Sequence, residues 1–296
     1  NTTGYYNTSI GTCANYAVTT AGSTVAIGWK ANASSTTASY TVAVGACALY
    51  SNTIGTGNLA VGHCSLYASV TSNNNVAVGD EAIRNNTTGC SNVGVGAHAL
   101  IINTEGAHNQ AMGTEALKSN TTGCKNIGIG TEALRTNSTG SGNIAVGYLA
   151  MYSHGTAGLN TAVGNCAMYN NTGANNAGFG ENALYGNTSG LFNVGLGSSS
   201  GYSNTDGDYN VFVGRSAGGY LVDGSTGLTS PDNSTYLGAC TRGLAVGDSN
   251  VTVIGYCACA CGDNTVSIGN CDVTGTYING NTTIQNSLTA TGGITT

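Results

Sequence analysis

The chain has little charge, one proline and three phenylalanines among its 296 residues. Asp, Glu, Lys and Arg together make up only 7% of it, against about a quarter in an ordinary soluble domain. Solubility must therefore come from Asn, Thr and Ser. The formal net charge of -6 argues against a nucleic-acid groove. The sequence contains no apolar run of about 18 residues, so we expect no segment that inserts into a membrane.

Low charge and few large apolar side chains are also found in disordered segments. Disorder, however, is typical of chains with high net charge or many prolines, and this chain has neither. Its strict apolar alternation favours folded strands instead. The sequence begins at Asn1 with neither a methionine nor an apolar signal, so we expect a processed product or a fragment.

The most informative feature that is present is a glycine at a fixed spacing. It ends pentapeptides of the type N-x-[AG]-[VI]-G, and every step but one is 17 residues, the exception being 16 residues from Gly164 to Gly180. The glycines are Gly11, Gly28, Gly45, Gly62, Gly79, Gly96, Gly113, Gly130, Gly147, Gly164, Gly180, Gly197 and Gly214. A fixed short period predicts a solenoid, in which each unit contacts only its neighbours and the chain builds a rod.

The first part of the repeat predicts a short strand. It places large residues at positions two and four and a small residue between them, as in Val42, Ala43 and Val44. We expect the large pair to face the core. The opposite face then holds only Ala or Gly in eleven consecutive units, which predicts that another copy of the chain packs close to the backbone there.

The rest of the repeat reads G-x-x-A-L-Y-x-N-T-T-G. The glycine predicts a sharp corner with positive φ, and the Ala-Leu pair is expected to turn an apolar side chain back inward. The N-T-T-G part is turn chemistry, and Asn or Thr at equal positions of stacked coils can form ladders. Each coil holds few large apolar side chains, and so thin a core favours association of chains.

These features predict an all-β protein, a parallel β-solenoid or β-roll of 17-residue coils that are intertwined or packed as a homotrimer. We expect residues 1–218 to form the regular solenoid. Residues 219–235 hold the only proline, Pro231, and predict an irregular loop or joint. Shorter, irregular coils are expected over residues 236–271, and residues 272–296 predict extended C-terminal strands that pair with partner chains.

The strand-glycine units resemble those of known fibrous proteins. Residues 143–147 (N-I-A-V-G) and 267–269 (S-I-G) resemble the S-V-A-I-G units of the YadA-like head of trimeric autotransporter adhesins. The longer unit is similar to the repeat arrays of phage and giant-virus tail fibres, and residues 277–294 resemble the region that precedes an endosialidase-type intramolecular chaperone. The resemblance implies a left-handed parallel β-roll, a homotrimer and a mature chain that ended at the chaperone's cut. The 17-residue unit is longer than that of the adhesin heads, and an end-to-end filament could use the same repeat.

Eleven cysteines fall in columns along the repeat. Equal positions on neighbouring coils lie about 5 Å apart, which is within the Cα range of a disulfide. This favours the disulfides of an extracellular fibre, with buried free thiols in a corner column as the alternative. The candidates are Cys47 with Cys64, and Cys257 with either Cys240 or Cys271.

Metal binding is a weaker interpretation at two places. Cys257, Cys259 and Cys261 would share one strand face, and thiolates suit zinc, but no histidine or C-x-x-C accompanies them. Asp206 and Asp208 flank a glycine and could hold Ca²⁺, although an acid pair in a turn is commoner. We therefore expect neither a metal nor another cofactor.

An aromatic column and a set of sequons complete the candidate sites. Tyrosines at one repeat position could stack on the sugars of a receptor glycan or, in the favoured interpretation, pack across a chain interface or over their own turns. The candidates for glycan stacking are Tyr50, Tyr67, Tyr152, Tyr169 and Tyr185. Sequons in the turns would be exposed and open to N-glycosylation. The candidates are Asn86, Asn120, Asn137 and Asn187.

Catalysis requires convergent titratable groups, and the four histidines are scattered through different units. We therefore expect a non-catalytic, structural or adhesive extracellular fibre: a β-solenoid shaft or receptor-binding head of a virion tail fibre or surface adhesin. Its partners would be copies of itself, in a homotrimer or filament, and a cell-surface glycan or receptor. A self-assembling extracellular filament subunit, joined end to end through its C-terminal strands, is the alternative. A glycan-degrading β-helix enzyme is the lower alternative, because no acidic cluster marks one face.

Overall fold

A computed structural model describes residues 3–274, which form one β-solenoid. Its regular elements are sixteen strands of three residues, and the described residues contain no helix. The strands are Thr8–Ile10 (β1), Val25–Ile27 (β2), Val42–Val44 (β3), Leu59–Val61 (β4), Val76–Val78 (β5), Val93–Val95 (β6), Gln110–Met112 (β7), Ile127–Ile129 (β8), Ile144–Val146 (β9), Thr161–Val163 (β10), Ala177–Phe179 (β11), Val194–Leu196 (β12), Val211–Val213 (β13), Thr235–Leu237 (β14), Thr252–Ile254 (β15) and Val266–Ile268 (β16).

All sixteen strands lie in one parallel sheet in chain order. Equal positions of successive coils pair directly, so Ala43 of β3 lies beside Ala60 of β4. The backbone outside the strands is also hydrogen-bonded between coils, as where Leu49 N donates to Ser65 O at 3.0 Å. With about 4.8 Å per step, the sheet makes a rod about 70 Å long. The prediction of an all-β parallel solenoid with 17-residue coils is confirmed.

The repeat glycine makes the corner after each strand because no other residue fits there. Gly113 has a φ of +138°, and a Cβ on it would lie 2.5 Å from the carbonyl oxygen of Gly130 in the next coil. Glu115 and Leu117, two and four positions further on, have φ values of 57° and 51°. These alternating left-handed residues turn the chain back, and the Leu117 side chain is fully buried. The predicted glycine corner and inward leucine are confirmed.

The small residues of the strands face the core, so the predicted orientation of the strands is wrong. Ala43 is fully buried, whereas Val42 and Val44 on either side of it are partly exposed. The buried residues four positions after each repeat glycine, here called the leucine column, lie across the core from the strands. The physical reason for the orientation is space, since a Cβ on Gly94 would lie 2.6 Å from Cγ1 of Ile83 in this column. Because that column fills the coil, only Ala or Gly fits opposite it. The stripe of small residues is thus explained within one chain.

Near the end of the regular repeat, the two walls of the core exchange their large side chains. Phe212 and Tyr236 occupy strand positions that hold Ala or Gly in β2 to β12, and both are fully buried. The leucine column holds glycine here, and a Cβ added to Gly201 or Gly218 would overlap the Phe212 ring. Core volume is therefore conserved while the composition of the walls is reversed.

The segment predicted to be irregular, residues 219–235, leaves the sheet intact. Strands β13 and β14 pair directly, although 24 residues instead of 17 separate their equal positions. The additional residues form an excursion closed by an antiparallel bridge between Tyr220 and Gly227. The C-terminal strands predicted over residues 272–296 lie, from residue 275 onward, outside the described residues.

Two ladders of buried asparagines tie the coils together. In the first, an asparagine precedes each strand from β4 to β13, and its Oδ1 accepts the backbone amide of the equivalent residue in the next coil, as Asn109 does from Asn126 N at 3.0 Å. The Nδ2 of Asn109 donates to Gly123 O at 2.8 Å. In the second ladder, built from the N-T-T-G turns, Asn120 Nδ2 donates to Asn103 Oδ1 at 2.7 Å. These amides satisfy polar groups that the turns bury.

His154 interrupts the second ladder. It is fully buried at an asparagine position, with Nε2 2.9 Å from Ala157 O and Nδ1 3.0 Å from Asn171 O. A neutral imidazole donates from only one nitrogen. One coil earlier, Asn137 Oδ1 is buried with no hydrogen-bond partner among the described residues. Burial lowers the pKa of His154, and it outweighs the two carbonyl groups, which raise that pKa.

His154→Asn is expected to stabilise the rod and to remove a sensitivity to acid. The new amide can donate to Asn137 Oδ1, and a buried acceptor that regains its partner is worth about 1–3 kcal/mol. Because the pKa of His154 is lowered by folding, the unfolded chain takes up the proton more readily. Stability is therefore complete above the ordinary pKa of about 6.5 and falls as the pH drops below it.

The measurement is the thermal unfolding midpoint of both proteins across this pH range. We expect the wild-type midpoint to fall more on acidification than that of His154→Asn. An equal fall in the two proteins would contradict the role of the buried imidazole.

The exchange of core walls predicts a rescue between two substitutions. Phe212→Ala is expected to cost about 3–5 kcal/mol, because it leaves a cavity. Gly201→Leu alone is expected to cost about 1–3 kcal/mol by overpacking against the Phe212 ring. Leucine suits that backbone, since Gly201 has a φ of 59° and Leu184 in the same column has one of 51°.

Together the two substitutions restore the usual pairing of leucine with alanine. The double variant is therefore expected to lose less free energy of unfolding than the two single variants lose in sum. Denaturant unfolding of the four proteins gives the coupling free energy directly. Losses that simply add would contradict the exchange of walls.

Candidate functional site

The outward face of the sheet is a mostly apolar stripe, here called the sheet face. It consists of the first and third residues of the sixteen strands. The third residue is a large apolar side chain in every strand, from Ile10 to Ile268, and neither column contains a charged residue. Met112 is 44% exposed, and Leu196 is 50% exposed. An apolar surface that continues along the whole rod is typical of an interaction site.

The sheet face is large enough to hold chains together. A stripe about 70 Å long and about 10 Å wide presents roughly 700 Å². A stable protein interface buries roughly 800 Å² on each partner. The strands pair without interruption from β1 to β16, so the stripe has no gap within the described residues.

A second column lies at the corner of the coil and has mixed chemistry. It consists of the residues two positions after the repeat glycine, here called the corner column. Its members on the first ten coils are Cys13, Lys30, Cys47, Cys64, Glu81, His98, Glu115, Glu132, Leu149 and Cys166. Each has a φ between 50° and 60°, so all adopt the same left-handed conformation.

The predicted disulfides are not formed in the structure. All eleven cysteines lie within the described residues, and each is a free thiol. Cys47 and Cys64, the first predicted pair, are buried; Cys240 and Cys257 are partly exposed, and Cys271 is exposed. Burial raises the pKa of the Cys64 thiol, and the neighbouring Cys47 raises it further. A raised pKa disfavours the reactive thiolate. The pair thus has the features of the alternative interpretation, buried thiols in a corner column.

Three cysteines considered as zinc ligands do line one cavity. Cys257, Cys259 and Cys261 border about 310 Å³ of space together with Cys271. Among residues 3–274, however, no group of three or more His, Cys, Asp or Glu side chains is arranged to hold a metal ion.

The two acids considered as Ca²⁺ ligands, Asp206 and Asp208, accept hydrogen bonds from neighbouring coils. Asp208 Oδ1 accepts the amide of Leu191 at 2.7 Å, and Asp206 Oδ1 accepts the Ser230 hydroxyl at 2.5 Å. Each carboxylate therefore joins its turn to a neighbouring coil.

Stacking brings together histidines that the sequence places far apart. His63 Nδ1 lies 3.0 Å from Asp80 Oδ1, and His98 Nε2 lies 4.0 Å from Asp80 Oδ2. In the sequence the histidines are scattered through different units. This arrangement could not be seen there, because it arises only when separate repeats stack and their corners meet. The His63 and Asp80 side chains are both more than half exposed, so their interaction is that of a surface ion pair.

Further along the same corner, Glu115 binds two cations. Lys118 Nζ lies 2.7 Å from Glu115 Oε1, and Arg135 Nε lies 2.8 Å from Glu115 Oε2. Lys118 first and Arg135 second lower the pKa of Glu115 through these hydrogen bonds. The acid is thus held ionised and paired, which is not the state of a general acid.

The tyrosine column stacks on itself. Tyr152, Tyr169, Tyr185 and Tyr202 form one run with ring centroids 5.1–5.2 Å apart. The ring faces of Tyr169 and Tyr185 are consequently covered on both sides. They lack the free face that stacking on a sugar requires.

The other three tyrosines predicted to stack on a glycan each have one face against a neighbouring ring. Tyr50 and Tyr67 stack on each other at 5.1 Å. The second face of Tyr67 meets Arg84 at 5.8 Å, and that of Tyr152 meets Arg135 at 5.4 Å. The Tyr50 ring likewise has a cation over it, Lys30 Nζ at 5.7 Å, but here both side chains also line a cavity.

The four predicted glycosylation sites are buried, so the expectation that they are exposed is wrong. None of them has exposed surface: Asn86, Asn120, Asn137 and Asn187. Asn187 Nδ2 donates to Asn171 Oδ1 at 2.6 Å and to Gly190 O at 2.9 Å. The fold leaves no room for a glycan on that nitrogen. The signal for a buried ladder was the recurrence of the asparagine at the coil period.

No protein-family model matches the chain, and no curated protein is significantly similar to it. Among the residues that the structure describes, no helix is long and apolar enough to cross a membrane. The sheet face, the corner column and the tyrosine column are the surfaces from which a function can be inferred.

Proposed function

We propose that the protein is a structural and adhesive fibre in which several copies associate through the sheet face. The observation that carries the proposal is that all sixteen outward third residues are apolar and that neither column holds a charge. A strand face that stays in water usually carries polar side chains in alternation with the buried ones. Association would remove the sheet face from water and so stabilise a rod whose own core is thin.

A second copy of the chain is the occupant that fits the sheet face best. A solenoid presents the same surface at every coil, so a partner with the same pitch can match it along its whole length. Two identical uncharged stripes do not repel each other. A homotrimer, in which three sheet faces meet about one axis, is the form implied by the resemblance to trimeric adhesins and tail fibres.

The remaining surfaces suit the outside of such a fibre. The leucine column lies across the core from the strands, and the tyrosines follow directly after it, as Tyr50 follows Leu49. Tyrosine presents an apolar ring and a polar tip, so this surface can be hydrated and can also bind a ligand. We place the fibre outside a cell or on a virion, with a cell-surface glycan or receptor as its target and no catalytic role.

An end-to-end filament is the second candidate, because strand β1 is an open edge. It pairs only with β2 among the described strands, and all three of its residues are exposed. Unpaired backbone groups at a sheet edge can accept a strand from another chain.

Ile129→Lys tests the proposed interface, because it places a charge in the middle of the sheet face. Native mass spectrometry of the wild type is expected to show a discrete oligomer. An unpaired buried charge costs several kcal/mol, so the variant is expected to assemble about tenfold less well or worse. Thr122→Lys, in an exposed turn, is the matched control and should leave assembly unchanged.

A monomeric wild type, or an Ile129→Lys variant that assembles like the wild type, would contradict the interface. Open-ended polymers of the wild type would favour the filament over the closed trimer.

A further inference from the structure

Within the first four coils, the tyrosine column lacks a ring only at Ala33. The residue five positions after the repeat glycine is Tyr16 in the first coil, Ala33 in the second and Tyr50 in the third. Backbone hydrogen bonds hold the three coils in register, from Ala17 N to Ala33 O at 3.0 Å and from Ser34 N to Tyr50 O at 3.1 Å. Ala33 therefore lies between two tyrosines.

The missing ring leaves a cavity of about 400 Å³, here called the ring slot. Tyr16, Ala33, Tyr50 and Lys30 are among the residues that line it. Consecutive rings elsewhere in the column lie 5.1–5.2 Å apart. Two tyrosines separated by two coils are thus about 10 Å apart. One ring fits about 5 Å from each, a distance at which aromatic stacking is favourable, once the flexible Lys30 side chain turns aside from Tyr50.

Lys30 gives the ring slot a positive charge. Its Nζ lies 5.7 Å from the centroid of the Tyr50 ring and 4.7 Å from that of Trp29, so the ammonium lies near two aromatic rings. None of the ion pairs between described residues involves Lys30. An ammonium without a carboxylate partner is free to bind an anion.

We propose that the ring slot binds a six-membered ring that carries a carboxylate. The ring lies between Tyr16 and Tyr50, and the carboxylate pairs with Lys30. Two sources share this chemistry, an acidic sugar and an aromatic acid. The slot lies across the core from the sheet face, so it stays open when chains associate, and its existence does not depend on the fibre function proposed above.

Trp29 provides the measurement, because it is the only tryptophan of the chain and its ring contacts Lys30. The full chain is titrated with a glucuronate oligosaccharide, with benzoate and with neutral methyl glucoside while tryptophan emission is recorded. We expect a saturable change with at least one acid, and the acid that binds identifies the source. The neutral glucoside is expected to bind about tenfold more weakly, because it lacks the charged hydrogen bond. No saturable change with either acid would overturn the proposal.

Three variants separate the ring slot from unspecific binding. Ala33→Tyr fills the slot with the residue that the neighbouring coils carry at this position, so it is expected to fold and to lose binding. His108→Tyr, an exposed position in a column that also contains Tyr40 and Tyr209, is the matched control and should bind like the wild type. Lys30→Met keeps the slot and should weaken acid binding about tenfold.

Circular dichroism checks the fold of each variant. Acid binding by a folded Ala33→Tyr variant would overturn the proposal. If that variant does not fold, Lys30→Met decides, and unchanged acid binding there would overturn it as well.

Discussion

The width of a single coil is the constraint on which the rest of this rod depends. The leucine column fills the interior, so the strand opposite it can point only Ala or Gly inward. Where Phe212 and Tyr236 point inward instead, the opposite wall shrinks to glycine. Since each strand has three residues, its two larger side chains are then directed outward. The apolar sheet face is thus a consequence of a core with little room.

The asparagine ladders keep the coils in register, and this register gives the surface its columns. Each Oδ1 of the first ladder accepts an amide from the next coil, as between Asn109 and Asn126. Equal repeat positions therefore meet along the rod, so rings stack on rings and His63 meets Asp80. Because of the same register, the small residue Ala33 leaves a cavity between the tyrosines of the neighbouring coils.

The solenoid, its corners and the inward leucines could be predicted from the sequence, because a fixed period requires equal positions to stack. The orientation of the strands could not, since the pattern of Val42, Ala43 and Val44 fits a strand turned either way. The tendency to bury large residues suggests that the valines point inward, whereas the small volume of the coil forces the alanine inward instead. Asn120 shows the same limit, because N-T-T-G describes an exposed turn as well as a buried ladder. The cavity at Ala33 could not be predicted either, because it depends on the spacing of the stacked rings, which only the structure gives.

The position of the sheet face in the native assembly can be observed by electron cryomicroscopy of the purified full chain. A cross-section at a resolution that separates the coils would show which side of each coil faces its neighbours. We predict that the sheet faces of adjacent copies meet at the centre and that the tyrosine columns lie at the periphery. A cross-section in which the sheet face is directed outward into solvent would contradict this arrangement.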